Sequence, residues 1–399
     1  MGAPTATPTS PPLAGVRVLD LTRYLAGPFA SMLLADYGAD VVKVESRQGR
    51  EFRFPGSEHD SYFFLSSNRG KRSLTLDLKS AAGRDLLLRL LPRFDVLIEN
   101  FRPAVMPELG LGAALLTERF SRLIYCGISG FGVDGPYRDR PGFDQIAQGM
   151  SGFMSLTGTA ASGPTRAGLA IADLLAGIFA AHGVQLALLA RQRTGRGQIV
   201  NTSLLEAMIG VLSWGAGMYF ETSSAPGPAG QHHPLSSPYG RFQASDGYLN
   251  IAAGNDSMWR KLAHTLAHPE WLDDPRYANA FARIQNREAL SADIEAVLAT
   301  GSVIDWVERL NAAGVPCGPV LDIAQVFADP QVLARNMLLQ LPHPEVGTFK
   351  TTGLPVTLSH TPGRIERRPP LLGEHTDEVL RECGLSDAEI GRLRQQGVV

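Results

Sequence analysis

Between Val16 and Glu45 the hydrophobic pattern changes period twice, which constrains the fold more than any other feature of the chain. Val16 to Leu21 is a short apolar run that reads as a strand. Pro28 to Tyr37 follows helical spacing with a proline in its first turn, and Asp40 to Glu45 is a second strand. Strand, helix and strand within thirty residues form a βαβ unit, whose two strands run parallel. The alternation continues through an amphipathic stretch at Ala81 to Leu91 and strands at Asp95 to Glu99 and Leu123 to Ser129. The expected fold class is therefore α/β, a parallel sheet covered by helices. Ligands of such sheets bind beyond the carboxyl ends of the strands. Those ends carry the loops Thr22 to Pro28, Ser46 to Arg53, Asn100 to Pro103 and Gly130 to Pro136.

The first of these loops holds one glycine where a dinucleotide fingerprint needs three, and no Walker A sequence occurs, so nicotinamide, flavin and P-loop chemistry lose their support. Charge narrows the partners further. With 37 Lys and Arg against 39 Asp and Glu, the net charge of -2 gives no global field for nucleic acid or an anionic membrane. A polyanion has to be bound locally. Cys126, Cys317 and Cys383 lack any CxxC spacing, which argues against a disulfide framework and against a metal site. Met1 to Pro12 is expected to be a disordered tail; it has neither the cations nor the apolar block of a secretory signal. Leu169 to Ala190 is long enough to span a membrane but carries Asp173, His182 and Gln185, and is read as a buried helix in a cytoplasmic protein.

A length of 399 residues with 44% hydrophobic content suits about two domains. Ser203 to Trp214 reads as a buried helix, and Thr222 to Pro238, dense in Ser, Pro, Gly and His, as a linker or substrate-side loop. Gly240 to Ala253 predicts a strand pair about the Asp246-Gly247 turn, followed by helices at Asp256 to Leu266, Arg287 to Leu298 and Asp305 to Ala313 and a turn at Gly314 to Pro319. The expectation is a large domain beginning at 13–224, a smaller α+β domain at 225–330, and a return segment at 331–399 that completes the large domain.

Three segments could carry chemistry. In Arg166 to Gly177, Asp173 stands near the start of a long apolar helix among the small residues Ala170, Ala172 and Gly177. It can be read as an N-cap, as a partner of Arg166, or as a carboxylate nucleophile kept ionised by the helix N-terminus with room for a ligand beside it. Asp144, in Pro141-Gly142-Phe143-Asp144, is a second carboxylate, equally readable as an ordinary helix entry. Arg69, Lys71, Arg72 and Lys79, with Arg47, Arg50 and Arg53 upstream, make either a phosphate site or a solvated charge run.

An ordered set of motifs then identifies a relationship. Leu25-Ala26-Gly27-Pro28, Ala39 to Glu45, Asn68 to Lys79, Glu99 to Pro103, Gly130-Phe131-Gly132, Thr194 to Gln198, Gly314 to Val320 and Leu372 to Thr376 resemble, in this order, the family III coenzyme A transferases, the group of formyl-CoA and carnitine CoA transferases. The resemblance runs from Pro12 to Val399. It implies a Rossmann-like large domain built from both chain ends, a small domain, and two copies interlocked as a homodimer. It implies Asp173 as catalytic aspartate and Asp144 as an acidic position beside it. CoA contacts would come from Ala26, Arg47, Lys71, Arg72, Leu76, Asp77, Leu78, Lys79, Asn100, Phe101, Arg102, Arg140, Pro141, Gly142 and Phe143.

The implied activity is CoA transfer from a succinyl-CoA or acetyl-CoA type donor to a small carboxylic acid through an aspartyl anhydride and an aspartyl-CoA thioester. No permanently bound cofactor is implied, the CoA thioester being substrate. Departures from the family pattern matter. Leu25 stands where formyl-CoA transferase has a glutamine at the reacting carbonyl, the glycine-rich lid is missing near Gly254-Asn255-Asp256, and Glu108 replaces an expected arginine, so oxalate and formate fit poorly. His232, His233, Ser236 and Ser237 form a polar loop that could hold the distal carboxylate of a dicarboxylic acid. Two rivals are an α-methylacyl-CoA racemase, whose Gly-His-Asp motif would need a base where Phe143 stands, and a non-catalytic CoA-binding protein.

Overall fold

The computed structural model describes residues 10–47 and 61–399. The positions Arg50 and Arg53 and most of the N-terminal segment, Met1 to Thr9, lie outside the described residues. The chain divides into two compact units: residues 1–154, 166–221 and 333–399 form the first, and 155–165 with 222–332 the second. The short segment 155–165 carries no sequence signal that would assign it to the second unit.

Unit one is built on a six-stranded sheet. Its strands are β1 (Arg17–Asp20), β2 (Asp40–Glu45), β3 (Lys71–Thr75), β4 (Val96–Glu99), β5 (Ile124–Ser129) and β6 (Ile199–Ser203). They pair in the order 3-2-1-4-5-6, all parallel. Side chains alternate between two cores, as a strand's period of two requires. Val18, Val41, Val96 and Ile124 point to one face, beneath α1 (Ala26–Asp36) and the long helix spanning Ile171–Thr194. Leu19, Val42, Leu74 and Leu97 point to the other, covered by α2 (Ala81–Leu90) and the C-terminal helices Thr376–Glu382 and Asp387–Gln395.

The end of the chain is stitched to β3: Arg367 O accepts the Gly70 N–H, the His375 N–H donates to Ser73 O, and Asp77 N–H donates to Val398 O. β3 itself was read from sequence only as a basic segment. Lys71 and Arg72 disguise it, because both are buried at 1% and 3% exposure despite their charge.

Unit two holds an antiparallel sheet of β7 (Tyr239–Gln243), β8 (Tyr248–Ala252) and β9 (Cys317–Pro319). The segment expected as a turn at Gly314 to Pro319 thus supplies a short strand. Helices at Asp256–Thr265, Arg287–Leu298 and Val303–Ala312 cover it and bury Trp259, Leu290, Ile294 and Trp306.

Candidate active site

Asp144 and Asp173 are brought together by two turns of sequence-encoded geometry. Beyond β5, Gly130 meets Gly142 backbone to backbone: a Cβ on Gly142 would lie 2.6 Å from the Gly130 Cα. Only glycine at both positions lets the intervening loop close on itself. That closure delivers Asp144 as the first residue of α3 (Asp144–Met150). The long helix, α4 (Ile171–Thr194), runs from the carboxyl edge of the sheet toward β6. Asp144 Oδ1 accepts the N–H groups of Ala172 and Asp173 at 2.8 and 3.4 Å, so a carboxylate from α3 satisfies the open amides at the start of α4. Gln148, fully buried, completes the junction. Its amide donates to Asp144 Oδ2 at 2.6 Å and accepts the Ala167 N–H at 2.9 Å. Sequence reasoning missed Gln148; a glutamine one helical turn after an acidic residue on a buried face was the available signal.

Two expectations about Asp173 change. The N-cap of α4 is Ala170, so Asp173 lies in the first turn and does not cap the helix. The helix N-terminus does not hold its carboxyl low either. Burial, with the charge of Asp144 adding to it, pushes Asp173 up to about 7. The small residues around it also have a different use. Ala172, Ala176 and Ala180 are fully buried, and a Cβ on Gly177 would lie 2.7 Å from Ala26 O. The space they free is taken by α1, not by a ligand. Gly177, one turn beyond Asp173 on the same face, thus meets the first turn of α1.

That turn borders a cleft at the carboxyl ends of β1 to β4. Leu76, Asp77, Leu78, Lys79 and Phe101 line it, as do Tyr24 and Lys43, so part of the expected CoA surface does converge. Asn100 supports the cleft without offering its amide: Oδ1 accepts the Arg23 N–H and Nδ2 donates to Arg23 O, both at 2.7 Å. Lys43 and Asp20 were also missed as site-forming residues. A lysine inside an otherwise buried strand and an aspartate ending one were the signals. Asp20 accepts from Thr22, Ser31 and Lys71 beneath the cleft loop. Burial works against its charge, but Lys43 and Lys71 override that and hold its carboxyl far below the usual range.

Lys71 and Arg72 are corrected as phosphate contacts. The Lys71 ammonium spends three donors on Asp20, Pro28 O and Asn68 at 2.8–3.0 Å. Arg72 is bonded to Asp40, Glu378 and Glu382. Arg69 likewise pairs with Asp36, so Arg69, Lys71 and Arg72 are neither a phosphate site nor a solvated run but the internal counter-charge around β3, whereas Lys79 is exposed at the cleft. Arg47 is exposed and lines a separate surface hollow with Thr75, Thr376 and Arg394. Arg102 is exposed, Ala26 is buried at the α1 start, and Arg140, beside Pro141, lies 3.7 Å over the Tyr137 ring.

The polar loop of unit two does not converge on one point. His232 abuts Phe242 edge-on, and His233 stacks on Tyr239 at 4.9 Å. Ser236 packs against Gly254, and Ser237 is 2% exposed with its carbonyl accepting from Arg283 Nε at 3.0 Å. His233 lines a groove with Gln231, Tyr239 and Asn250. A four-residue carboxylate clamp is therefore not formed.

Comparison with known proteins places this geometry. The profile of CoA-transferase family III matches residues 13–376. A succinate–glutarate CoA-transferase of Agrobacterium fabrum is 39% identical, over 93% of this chain and 96% of its own. An acetyl-CoA:oxalate CoA-transferase of Acetobacter aceti is 37% identical, over 96% of this chain and 99% of its own. The crystal structure of a CAIB/BAIF family protein from Brucella suis matches with a TM-score of 0.85 at 38% identity, covering 94% of this chain and all of that one. With likeness in sequence and fold extending over nearly its whole length, the chain belongs to CoA-transferase family III, a family of enzymes that transfer coenzyme A.

Proposed function

We propose that this enzyme moves CoA from a succinyl-CoA or acetyl-CoA type donor to a small dicarboxylic acid, with Asp173 as nucleophile. The observation that carries the reading is the junction of Asp144 with the first turn of α4. It holds Asp173 in place by its own N–H and leaves a partly buried carboxylate that is unusually basic for an aspartate. A more basic carboxylate is a better nucleophile so long as it is ionised, and at about 7 roughly half is ionised at neutral pH.

In the first step the Asp173 carboxylate attacks the donor thioester, forming an acyl anhydride and releasing CoA thiolate. The thiolate attacks the Asp173 carbonyl, expelling the donor acid and leaving an aspartyl-CoA thioester. The acceptor carboxylate then attacks that carbonyl and displaces the thiolate. Attack of the thiolate on the new acyl carbonyl yields the product acyl-CoA and restores the carboxylate. Leu76 to Lys79 and Phe101 hold the CoA, with Lys79 as the exposed cation among them.

The dicarboxylate assignment draws support from relatives named for succinate, glutarate and malate. Oxalate belongs in the test panel because another relative bears its name, although Leu25 argues against it. The enzyme is assigned to the cytoplasm, in keeping with three free cysteines. Two copies form an interlocked dimer, a reading supported by exposed apolar side chains on and after α4, among them Leu186, Leu189 and Phe220. Mass in solution tests the dimer.

The central test traps the intermediate. Wild-type enzyme incubated with succinyl-CoA and hydroxylamine should yield a hydroxamate at Asp173, found by peptide mass spectrometry, and Asp173→Ala should lose transfer. Turnover retained by Asp173→Ala would eliminate it as nucleophile. A panel of donors against mono- and dicarboxylic acceptors, read by mass spectrometry, fixes the substrates; activity confined to monocarboxylates would end the dicarboxylate reading.

A further inference from the structure

Nothing in the steps above explains why the loop between β1 and α1 carries an aromatic side chain on a left-handed backbone. Tyr24 has a φ of 62°, a conformation ordinarily left to glycine and strained for a residue with a Cβ. Both sides of it are pinned, the following one because Leu25 O accepts the Phe29 N–H at 2.8 Å. Asp20 holds the Thr22 N–H at 2.8 Å, and Asn100 holds Arg23 at both its N–H and its carbonyl. With its flanks fixed, the chain turns at Tyr24 and leaves the residue 49% exposed. There it meets the edge of Phe143, with centroids 5.8 Å apart and planes at 82°. Phe143 is itself 57% exposed. A left-handed backbone at a non-glycine residue persists only where its surroundings enforce it, and such positions cluster at active sites and ligand clamps.

Tyr24 lines the cleft, and Phe143 immediately precedes Asp144, whose carboxylate accepts the Asp173 N–H. The ring pair therefore links the cleft wall to the carboxylate pair. Building on the Asp173 reading, we propose that Tyr24 and Phe143 form a water-excluding threshold against which the thioester end of an acyl-CoA rests. The reaction it suppresses is hydrolysis of the aspartyl anhydride. Water adds to the anhydride carbonyl, the acyl–oxygen bond to Asp173 breaks, and the donor carboxylate and the Asp173 carboxylate leave with two protons, one of which the CoA thiolate takes. The net change is thioester plus water to carboxylate, CoA thiol and one proton. Transfer competes with this loss only where water is kept from the carbonyl.

The test measures partition. Full-length enzyme is given its fastest donor from the panel, without acceptor to read thiol release and with acceptor to read new acyl-CoA. Tyr24→Gly removes the ring and suits the left-handed backbone, so it spares the fold; Phe143→Ala removes the other ring from an ordinary backbone position. Each should raise the ratio of hydrolysis to transfer about tenfold. The double variant should rise little further, because either loss alone opens the threshold. Tyr24→Phe, which keeps a ring, should bring the ratio back toward wild type. An unchanged ratio in both single variants overturns the threshold. The nucleophile is judged separately by the wild-type hydroxamate: its absence alongside altered ratios would sink Asp173 and still support the rings as a water shield.

Discussion

Replacing Asp173 by asparagine should stabilise the fold at neutral and alkaline pH while it removes activity. The carboxyl is raised from 3.8 to about 7, chiefly by burial and secondly by the charge of Asp144. In the unfolded chain the same group loses its proton near its ordinary value. Between those two values the folded state holds the proton that the unfolded state has released. Stability contributed by the protonated form is therefore complete below about pH 4 and is lost as pH rises through about 7. A rise of about 3 units at about 1.4 kcal/mol each sets an upper figure of about 4 kcal/mol.

Asparagine has the same shape and no charge at any of these pH values. It escapes the penalty. Its advantage over the wild type should be absent near pH 4, grow through pH 5 and 6, and level off above about pH 7. Urea unfolding of the two proteins, followed by far-UV circular dichroism at unit intervals from pH 4 to pH 8, measures that difference directly. A difference that is constant across the range would mean that the proton is not what burial acts on. A wild type more stable than the variant at pH 8 would reverse the sign and refute the placement of the carboxylate.

Other perturbations separate the remaining parts. Asp144→Asn removes the like charge but not the burial, so the pH midpoint of the acylation half-reaction should fall below about 7 without reaching the ordinary range; a midpoint that stays put would show that Asp144 exerts no field on Asp173. Lys71→Met takes the nearer of two ammonium groups from the buried Asp20 carboxylate, leaving Lys43 at 4.0 Å, and should cost about 3 kcal/mol in urea unfolding. Lys79→Ala, at an exposed position, should change stability by less than about 0.5 kcal/mol and instead weaken CoA binding in a salt-dependent way, measured by calorimetry at two ionic strengths. Gly142→Ala forces a Cβ to within 2.6 Å of Gly130 and should cost about 1–3 kcal/mol while displacing Asp144, so turnover should fall with it.

Four of the six strands, β1, β2, β4 and β5, were legible because each is an apolar run whose length and period little else satisfies; β6 carried no such reading. β2 and the helix at Arg287–Leu298 fall on the positions that periodicity predicts. β3 was not legible, and the reason is electrostatic. Hydropathy treats Lys71 and Arg72 as surface residues, whereas each is neutralised by carboxylates from distant segments, Asp20 in one case and Asp40 with Glu378 and Glu382 in the other. A local reading of charge cannot see a partner 51 or 310 residues away.

The same limit explains the mixed outcome at the site. Asp173 and Asp144 could be nominated from sequence, but what each does to the other depends on a loop closed by two glycines and on a buried glutamine, all of them long-range facts. The helix-terminus argument failed for that reason. It counted the dipole of α4, which favours a negative charge, but not Asp144, which already occupies the end of that dipole. Once one carboxylate has taken the stabilising amides, the second faces burial and repulsion together. Two acidic groups at one helix end are thereby driven to unlike states, one fixed by the helix amides and the other raised to about 7.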